Sequence, residues 1–504
     1  MAFWAIFGSI PSIMKSVISS LLACLFFVTI AACSSVKQDQ VTIFQAINSE
    51  VLSNSRAYET LREATSTIGH RLTGSENGAK AEEYTYNLLK SYGFEDVRYF
   101  PFEVETWMRG DIEVQIGDSG GRNYEVYSAV SLAHSPVKAN VDLEIVDLGN
   151  GLEEDYEAKP GAVEGKIALV YIGLLPGTAE GTQNLHRSEK SSLAAQNGAK
   201  GIIIINQVDG GVLLTGTASV DGRLIPIPAV CIGKEDGIAL KETLKSKKKF
   251  ARIDMTNTAN LIKARNVIAT IKGRDLPEEK VIVGGHLDSW DLATGAIDNG
   301  IGSFAVLDMA RTFQALDLQP KRTIEFIMFM GEEQGLLGSR AYVNEAVANG
   351  AVDNIKYVMN QDMSGNPIGF NAGGRPEAKA FFEEVGEKIK ALDSTTFKNA
   401  NRNGAGLHSD HQPFMLQGIP YMSSASNLER HIYGCYHSDC DDFDLVNEEH
   451  IKNNVRFSSM MLYALADADT LPAQKLNDAE TKAYLEGHRL KLKLKIGGDW
   501  RWND

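Results

Sequence analysis

Positive charge is in deficit along this chain of 504 residues. Its 50 lysine and arginine residues face 65 aspartate and glutamate residues, which gives a formal net charge of −15. A surface of this sign is a poor partner for nucleic acid. Hydrophobic content of 43% and charged content of 23% are ordinary for a globular protein, so large-scale disorder is not expected. The length exceeds what one hydrophobic core usually supports, which favours two domains and a processing segment.

Cysteine is scarce, with five residues. Cys24 lies in a segment that we expect to be removed, and Cys231 lies in the apolar strand IPAVCI, where a buried inert thiol is the usual interpretation. Cys435 and Cys440 remain, on either side of His437. Export would place them where disulfides persist. They either form a bridge there or stay as two free thiols.

Long apolar runs are also few, and the N-terminal run LLACLFFVTIAA is too short for a comfortable membrane span. It follows a start whose single charge is Lys15 and ends directly before Cys33, which predicts a secretory signal over residues 1–32. The sequence IAAC followed by two serines resembles the lipobox of bacterial lipoproteins. We therefore expect an exported chain of net charge −16 whose lipidated Cys33 anchors it to a bacterial membrane, or otherwise a secreted one. An uncleaved anchor helix is the alternative.

Strand and helix patterns alternate along the remaining chain. Between residues 129 and 257, short apolar strands such as KIALVYIG and GIIIIN interleave with helices, which predicts a smaller domain with its own core. Outside it, near-continuous apolar strands alternate with helices and indicate a buried parallel or mixed sheet, hence an α/β fold. The predicted division is a signal at 1–32, an α/β domain made of 41–128 and 258–470, an inserted domain at 129–257, and a C-terminal tail at 471–504. In the tail, RLKLKLKI predicts either a solvated segment or an edge strand.

Five side chains of metal-binding type lie in the C-terminal half: His286, Asp298, Glu333, Asp362 and His437. Most follow apolar strands, where ligands gather in open α/β sheets. Each alone has an ordinary explanation as a cap, turn or loop residue, but together they predict a metal centre. Mixed carboxylate and imidazole ligands suit zinc, with Co²⁺ or Mn²⁺ as substitutes. In the predicted arrangement His286 and Asp362 complete one site, Glu333 and His437 the other, and Asp298 is shared.

Glu332 directly precedes the ligand Glu333. Adjacent side chains diverge, so one carboxylate can bind metal while the other holds the attacking water. Asp288 lies two residues after His286 on the same side of an extended segment, where its carboxylate can accept the second ring N–H. Two cations about 3.5–4 Å apart polarise a carbonyl and lower the pKa of a bridging water. The predicted reaction is hydrolysis of an amide.

Several motifs carry a family resemblance. GGHLDSWD, GAIDNGIG, GEEQGLLGS, NQDMSGNP and YHSD resemble the motifs of the M28 family of di-zinc peptidases, and GHRLTGS resembles its N-terminal signature. HLDSWD and the inserted domain are most similar to the carboxypeptidase Q branch, and the insert resembles a protease-associated (PA) domain. The resemblance covers residues 45–468. It implies a three-layer α/β/α zinc-exopeptidase fold with a mixed, mostly parallel sheet, two Zn²⁺ per chain, and homodimerisation.

The same resemblance implies specific roles. The five metal-type residues become zinc ligands, Glu332 the general base and acid, and Asp288 the carboxylate that orients His286. A cis peptide bond is implied between Asp298 and Asn299. The segment GLHSDHQPFMLQGIP resembles one that supports the substrate cleft, through His408, Asp410 and His411. One departure is local: Asp442 follows Asp441 where the family often has threonine, which puts the local hydrogen bonding in doubt.

Competing functions differ in the features they require. GDSGG at residues 117–121 matches the nucleophile turn of serine proteases, but the flanking strands favour a hairpin turn and His70 does not supply the remaining triad. We expect an exported zinc exopeptidase that hydrolyses dipeptides or short peptides through water activated by two metal ions. The alternatives are an aminopeptidase on longer peptides, a glutaminyl-cyclase-like acyltransferase and a non-catalytic receptor-like protein. The complete ligand set argues against the last two, whereas no residue reveals which end of the peptide is recognised.

Overall fold

The computed structural model describes residues 39–503. By its contacts the described chain divides after residue 43, and the described part before this point is the beginning of one helix. The predicted signal segment and Cys33 lie outside the described residues. Within residues 39–503, no helix has the length and apolar character needed to cross a bilayer.

Fourteen α-helices occur in the described part of the chain. They are α1 (Gln40–Asn54), α2 (Ala57–Thr67), α3 (Glu76–Ser91), α4 (Glu153–Glu157), α5 (Arg187–Gln196), α6 (Lys234–Leu244), α7 (Ile301–Ala315), α8 (Leu337–Ala348), α9 (Lys379–Leu392), α10 (His411–Leu416), α11 (Arg430–Tyr433), α12 (Glu448–Asp467), α13 (Asp478–Gly487) and α14 (Lys491–Ile496). Side-chain caps fix some helix starts: Ser75 accepts from the backbone N–H of Gly78 before α3, and Asn447 accepts from that of His450 before α12.

Thirteen strands join in one mixed sheet. They are β1 (Val97–Asp118), β2 (Arg122–Tyr127), β3 (Ala129–Ser131), β4 (Lys138–Asp147), β5 (Ile167–Tyr171), β6 (Gly201–Ile205), β7 (Ala229–Ile232), β8 (Phe250–Ile271), β9 (Leu276–His286), β10 (Arg322–Phe329), β11 (Ile355–Asn360), β12 (Pro367–Asn371) and β13 (Tyr421–Ser426). The order is β12-β13-β11-β9-β10-β8-β4-β5-β6-β7-β3, with β1 paired to both β8 and β2.

Helices cover both faces of the large-domain sheet, as strand β10 demonstrates. Phe326 packs its ring 5.7 Å from Phe313 of α7, whereas Phe329 packs 6.2 Å from Phe414 of α10. Residues an odd number of positions apart point to opposite faces of a strand, so α7 and α10 lie on opposite sides. The expected three-layer α/β/α arrangement is confirmed.

Strands β1 and β8 link the large domain to the insert, the name kept here for residues 129–257. They pair antiparallel from Val97 opposite Ala269 to Gly117 opposite Phe250, with one irregularity after Arg109. The two strands predicted from VRYFPFEVE and DIEVQIG are therefore a single strand, because β8 offers a continuous partner. The predicted end of the insert at residue 257 falls inside β8. The GDSGG segment is confirmed as the turn between β1 and β2.

The expectation of a solvated tail or an edge strand after residue 471 is wrong. The segment forms helices α13 and α14, and RLKLKLKI overlaps the second. Leu490 and Leu494, four residues apart, lie on one helical face and are buried in the same core cluster as Leu485. Burial of these leucines against the large domain outweighs the strand-like alternation of the sequence.

Candidate metal centre

Three neighbouring parallel strands bring the predicted ligands to one edge of the sheet. His286 is the last residue of β9, Glu333 follows β10, and Asp362 follows β11. Strand β9 lies between β10 and β11 and is parallel to both. The carboxyl ends of the three strands therefore meet, at the position where open α/β sheets hold their ligands.

Asp298 and His437 reach the same place from loops. Asp298 lies in an irregular turn at Ala296–Gly300 that leads into α7, and its peptide bond to Asn299 is cis, as the resemblance implied. His437 lies in a loop closed by a disulfide between Cys435 and Cys440, whose Cα atoms are 5.2 Å apart. Of the two alternatives left open by the sequence, the structure has the bridge.

The five side chains converge with the carboxylate of Asp298 between two imidazoles. Nε2 of His286 lies 3.2 Å from Oδ1 of Asp298 and 3.4 Å from Oδ1 of Asp362. Nε2 of His437 lies 2.9 Å from Oδ2 of Asp298 and 3.0 Å from Oε2 of Glu333. Each oxygen of Asp298 thus belongs to a different group of ligand atoms. The division of these atoms between two metal sites stays a prediction.

The donor set fits a divalent metal. Ligand atoms of His286, Asp298 and Glu333 all lie within 4.8 Å of one another, and these side chains are buried. Oε1 of Glu333 is buried and has no hydrogen-bond partner among the described residues. Burial raises the pKa of Glu333 well above its ordinary value, and the charge of Asp298 raises it further. Carboxylates crowded in a low-dielectric site need a cation, and this mixture of nitrogen and oxygen donors suits zinc.

Hydrogen bonding fixes the orientation of His286. Its Nδ1 lies 3.1 Å from the backbone oxygen of Asp288, to which an Nδ1–H donates, and this leaves the Nε2 lone pair facing the ligand carboxylates. The carboxylate of Asp288 is farther away, with Oδ1 3.7 Å from Nδ1. That Oδ1 instead accepts from the backbone N–H of Glu332 at 3.2 Å. Asp288 therefore supports both residues, through its carbonyl and its carboxylate respectively.

Glu332 lines a cleft of about 590 Å³ together with the ligand side chains. Desolvation raises the pKa of its carboxyl well above the ordinary value; the charge of His286 opposes this, and those of Glu333 and Asp362 add to it. A carboxylate with a raised pKa is a stronger base than an ordinary glutamate. Its position and its electrostatics therefore both suit a general base.

The insert supplies the surroundings of His437, which the sequence did not reveal. The backbone N–H of Thr215 donates to the carbonyl oxygen of His437 at 2.8 Å, and the oxygen of Thr215 lies 3.4 Å from its Nδ1. Nη2 of Arg187, at the start of α5, lies 2.8 Å from the same Nδ1. Burial and the charge of Arg187 lower the pKa of His437 to about 4, so the imidazole is neutral. Since a guanidinium only donates, Nδ1 accepts from Arg187 in this structure, and the oxygen of Thr215 could accept from an Nδ1–H only if that contact opened.

The three predicted cleft-supporting residues occupy different places. His408 and His411 line the cleft, whereas Asp410 is buried and burial raises its pKa to about 7. The residue between them was not predicted: Ser409 donates to Oδ2 of Asp362 at 2.6 Å and accepts from Nδ2 of Asn360 at 2.7 Å. Ser409 thereby orients the carboxylate of Asp362, a candidate ligand.

Arg71 of the GHRLTGS motif is fully buried and fastens the loop after β9. Its guanidinium donates to the carbonyl oxygens of Leu287, Thr294 and Gly295 at 2.6–2.8 Å. These residues lie between His286, the candidate ligand at the end of β9, and the irregular turn. The motif was recognised in the sequence, but nothing in its spacing revealed which loop the arginine would hold.

Asp441 and Asp442 hold the turn that carries Asp298. The carboxylate of Asp441 accepts from the backbone N–H groups of Ile297 and Asp298 at 2.7 and 3.0 Å. Asp442, at the position where the family often has threonine, accepts from the backbone N–H of Thr294 at 3.1 Å. The local hydrogen bonding that the departure put in doubt is therefore present.

Comparison with known families agrees with this geometry. The model of peptidase family M28 matches residues 266–462, and the model of the PA domain matches residues 140–240. The peptidase domain is thus similar to peptidase family M28, and a PA domain is inserted in it. This similarity and the relatives described below support a metallo-exopeptidase.

Proteins similar to this chain include carboxypeptidases and aminopeptidases. Carboxypeptidase Q of Xenopus laevis is 27% identical over 82% of this chain and 87% of its own. The probable leucine aminopeptidase 2 of Aspergillus fumigatus is 27% identical over 83% of each chain. Among solved structures, the peptidase M28 precursor of Shewanella amazonensis has a TM-score of 0.73 at 24% identity, covering 87% of this chain and 99% of its own. The aminopeptidase of Aneurinibacillus sp. strain AM-1 has a TM-score of 0.64 at 25% identity, with 86% and 98% covered.

Proposed function

We propose that this M28 peptidase is an exported two-zinc exopeptidase that hydrolyses dipeptides and short peptides. The observation that carries the proposal is the position of Asp298, whose two carboxylate oxygens face two different imidazole nitrogens at 3.2 and 2.9 Å. A carboxylate so placed suits a bridging ligand. His286 with Asp362, and His437 with Glu333, would then complete the two sites.

Zinc bound by these residues would polarise the scissile carbonyl and lower the pKa of a bound water. The chain's own contribution is proton transfer and positioning. Glu332 takes a proton from the attacking water and returns it to the leaving amine. Asp288 holds the backbone of Glu332 through its carboxylate, so the base and the ligand His286 keep a fixed separation.

A preference for short substrates is supported by the volume of the cleft and by the side chain of Arg187 that lines it. The volume of about 590 Å³ suits a small ligand better than a long chain. Arg187 is 5% exposed, lines this cleft, and its Nε has no partner among the described residues. A guanidinium at the wall of the cleft is suited to a carboxylate. A peptide short enough to place its terminal carboxylate there would have its scissile bond near Glu332.

The central test is Glu332→Gln in the zinc-loaded protein. Zinc content should remain at two ions per chain while hydrolysis falls by about 10³-fold or more, because the base is lost and the ligands are kept. Retained hydrolysis would exclude Glu332 as the base. A zinc content of one ion per chain in the wild type would exclude the two-metal arrangement.

Substrate class is tested with matched peptides. Free dipeptides, N-blocked dipeptides, dipeptide amides and tetrapeptides are assayed on the wild type and on Arg187→Gln. The wild type should favour free dipeptides over amides, and Arg187→Gln should reduce that preference by raising KM for the free carboxylate. Equal rates on amides and free acids would instead favour an aminopeptidase on longer peptides.

Export is proposed from residues 1–33 and is supported by the disulfide between Cys435 and Cys440, a bond that persists in oxidising compartments. In a bacterial host, the mature protein should begin at a lipidated Cys33 and should partition with membranes. Cys33→Ser should keep residues 1–32 or release a soluble protein. A wild-type mass that includes residues 1–32 without lipid would exclude the lipoprotein.

A further inference from the structure

We propose that the C-terminal segment, residues 488–503, is a specificity wall of the cleft that limits the length of the peptide. Four of its residues line the cleft that contains Glu332: Lys493, Leu494, Gly497 and Asp499. The inference rests on the proposed peptidase function and adds to it, since the segment lies beyond the match to the M28 model, which ends at residue 462.

Apolar contacts seat the segment between two cores. Leu494 is 1% exposed and belongs to a core cluster of the large domain, together with Phe414 and Tyr421. Ile496, two residues later, packs against the core cluster of the insert. Helix α14 therefore contacts both domains beside the cleft. A segment so held is a fixed boundary of the cleft.

Asp499 ties the segment to both loops that carry reactive groups. Its two carboxylate oxygens accept from Nη1 and Nη2 of Arg340, each at 2.7 Å, and Oδ2 also accepts from Nε2 of Gln412 at 2.8 Å. Nε of Arg340 donates to the carbonyl oxygen of Gly335, in the turn that bears Glu332, at 3.1 Å. Bidentate charge-assisted bonds of this kind are strong and directional.

The second connection runs to the loop of Ser409. Oε1 of Gln412 accepts from the backbone N–H of His408 at 2.8 Å, one residue before Ser409, which orients Asp362. The wall is thus bonded to the turn of the base and to the loop that supports a ligand. Its position relative to the scissile bond is therefore fixed by hydrogen bonds on both sides.

Lys493 is the side chain that the wall extends towards the insert. It is half-buried, lines the cleft, and lies close enough to His186 to lower the pKa of that imidazole, with burial as the larger cause. A peptide extended beyond the short substrate would have to displace this side chain or the helix that carries it. Shortening the side chain should therefore admit longer peptides.

The test compares dipeptides with matched tripeptides and tetrapeptides on zinc-loaded wild type, Lys493→Ala, Lys493→Met and Asp499→Asn. Relative to the wild type, Lys493→Ala and Asp499→Asn should raise kcat/KM for the tetrapeptide over that for the dipeptide by about tenfold, the size of effect that small changes of pocket shape produce. Lys493→Met keeps the bulk and should keep the wild-type ratio. Leu492→Ala is the control, because Leu492 is exposed on the same helix and does not line the cleft.

The outcomes separate the two proposals. If the wild type hydrolyses no peptide, the proposed function fails. If it hydrolyses dipeptides but Lys493→Ala and Asp499→Asn leave the ratio of tetrapeptide to dipeptide kcat/KM unchanged, only the proposal of a specificity wall fails. A shift in Lys493→Met as large as that in Lys493→Ala would show that the lysine acts through its charge and would overturn a steric role. Zinc content and thermal midpoint identify a variant that is merely unfolded. If Asp499→Asn is unfolded, the comparison of Lys493→Ala with Lys493→Met decides whether the wall limits peptide length.

Discussion

The hydroxyl of Ser409 donates to Oδ2 of Asp362 at 2.6 Å, while Oδ1 of the same carboxylate lies 3.4 Å from Nε2 of His286. One oxygen is thereby held by the protein and the other is directed at the ligand cluster. Residues that orient a metal ligand in this way commonly affect metal affinity nearly as much as the ligands themselves. Ser409 is therefore expected to matter for zinc although it is not a ligand.

We predict that Ser409→Ala lowers zinc affinity by about 10–100-fold with little loss of fold, because the carboxylate of Asp362 is freed to rotate. Competition with a chromogenic chelator measures the affinity of each site. Ser246→Ala is the control, since Ser246 is exposed in the insert and distant from the cluster in sequence. Unchanged zinc affinity in Ser409→Ala would show that packing alone holds Asp362.

A second prediction concerns Asp441, whose carboxylate accepts from two backbone N–H groups beside the shared ligand. Asp441→Asn replaces one acceptor with an NH₂ group that faces a donor. Leaving a buried backbone N–H unpaired costs about 1–3 kcal/mol, so the variant should unfold at lower urea and bind zinc more weakly. Asp442→Asn is the matched neighbour: it still offers an oxygen to Thr294 and should lie close to the wild type.

The disulfide gives a third prediction. Cys435 and Cys440 close a short loop around His437. In the chain-entropy model, closing a loop of this length lowers the entropy of the unfolded chain and thereby raises the free energy of unfolding by about 2 kcal/mol. Here the closed loop carries His437, a candidate ligand. The double variant Cys435→Ser, Cys440→Ser should retain zinc at the His286 group and lose it preferentially at the His437 group. Zinc content near one ion per chain, measured after dialysis, checks this; two tightly held ions would contradict it.

The meeting of three candidate ligands at one edge of the sheet was predictable from the sequence because their signals are local. His286, Glu333 and Asp362 directly follow apolar runs that the chain pattern identifies as buried strands. Parallel pairing of neighbouring strands then places their ends together without further information. Asp298 and His437 needed the motifs as well, since their loops have no periodic pattern.

The supporting residues were not predictable because their contacts join distant parts of the chain. Arg187 reaches His437 across 250 residues, and Arg71 reaches the loop after β9 across more than 200. No spacing rule connects such positions. The prediction for the C-terminal segment was wrong for another reason. Leucines at 490, 492 and 494 fit the period of two of a strand, and those at 490 and 494 also fit the i, i+4 spacing of a helix. Leu494 is buried and Leu492 is exposed, as in a helix, whereas in a strand the two would lie on the same face.

Acid stability supplies a last prediction, outside the cleft. Asp393 follows α9 and binds Arg456 of α12, a buried arginine. Burial acts to raise the pKa of Asp393, but hydrogen bonds from Thr395 and Arg456 outweigh it and lower the pKa to about 2. Because the folded-state pKa lies below that of the unfolded chain, the ionised carboxylate stabilises the fold above about pH 4, by about 2 kcal/mol. This contribution is lost as the pH falls towards 2.

Asp393→Asn should therefore lower the urea midpoint of the zinc-free protein at pH 7, and the difference from the wild type should shrink below pH 4. Asp317→Asn, at an exposed position, should show no such convergence. A wild-type advantage that persists unchanged at pH 3 would contradict the assignment to the Asp393 charge.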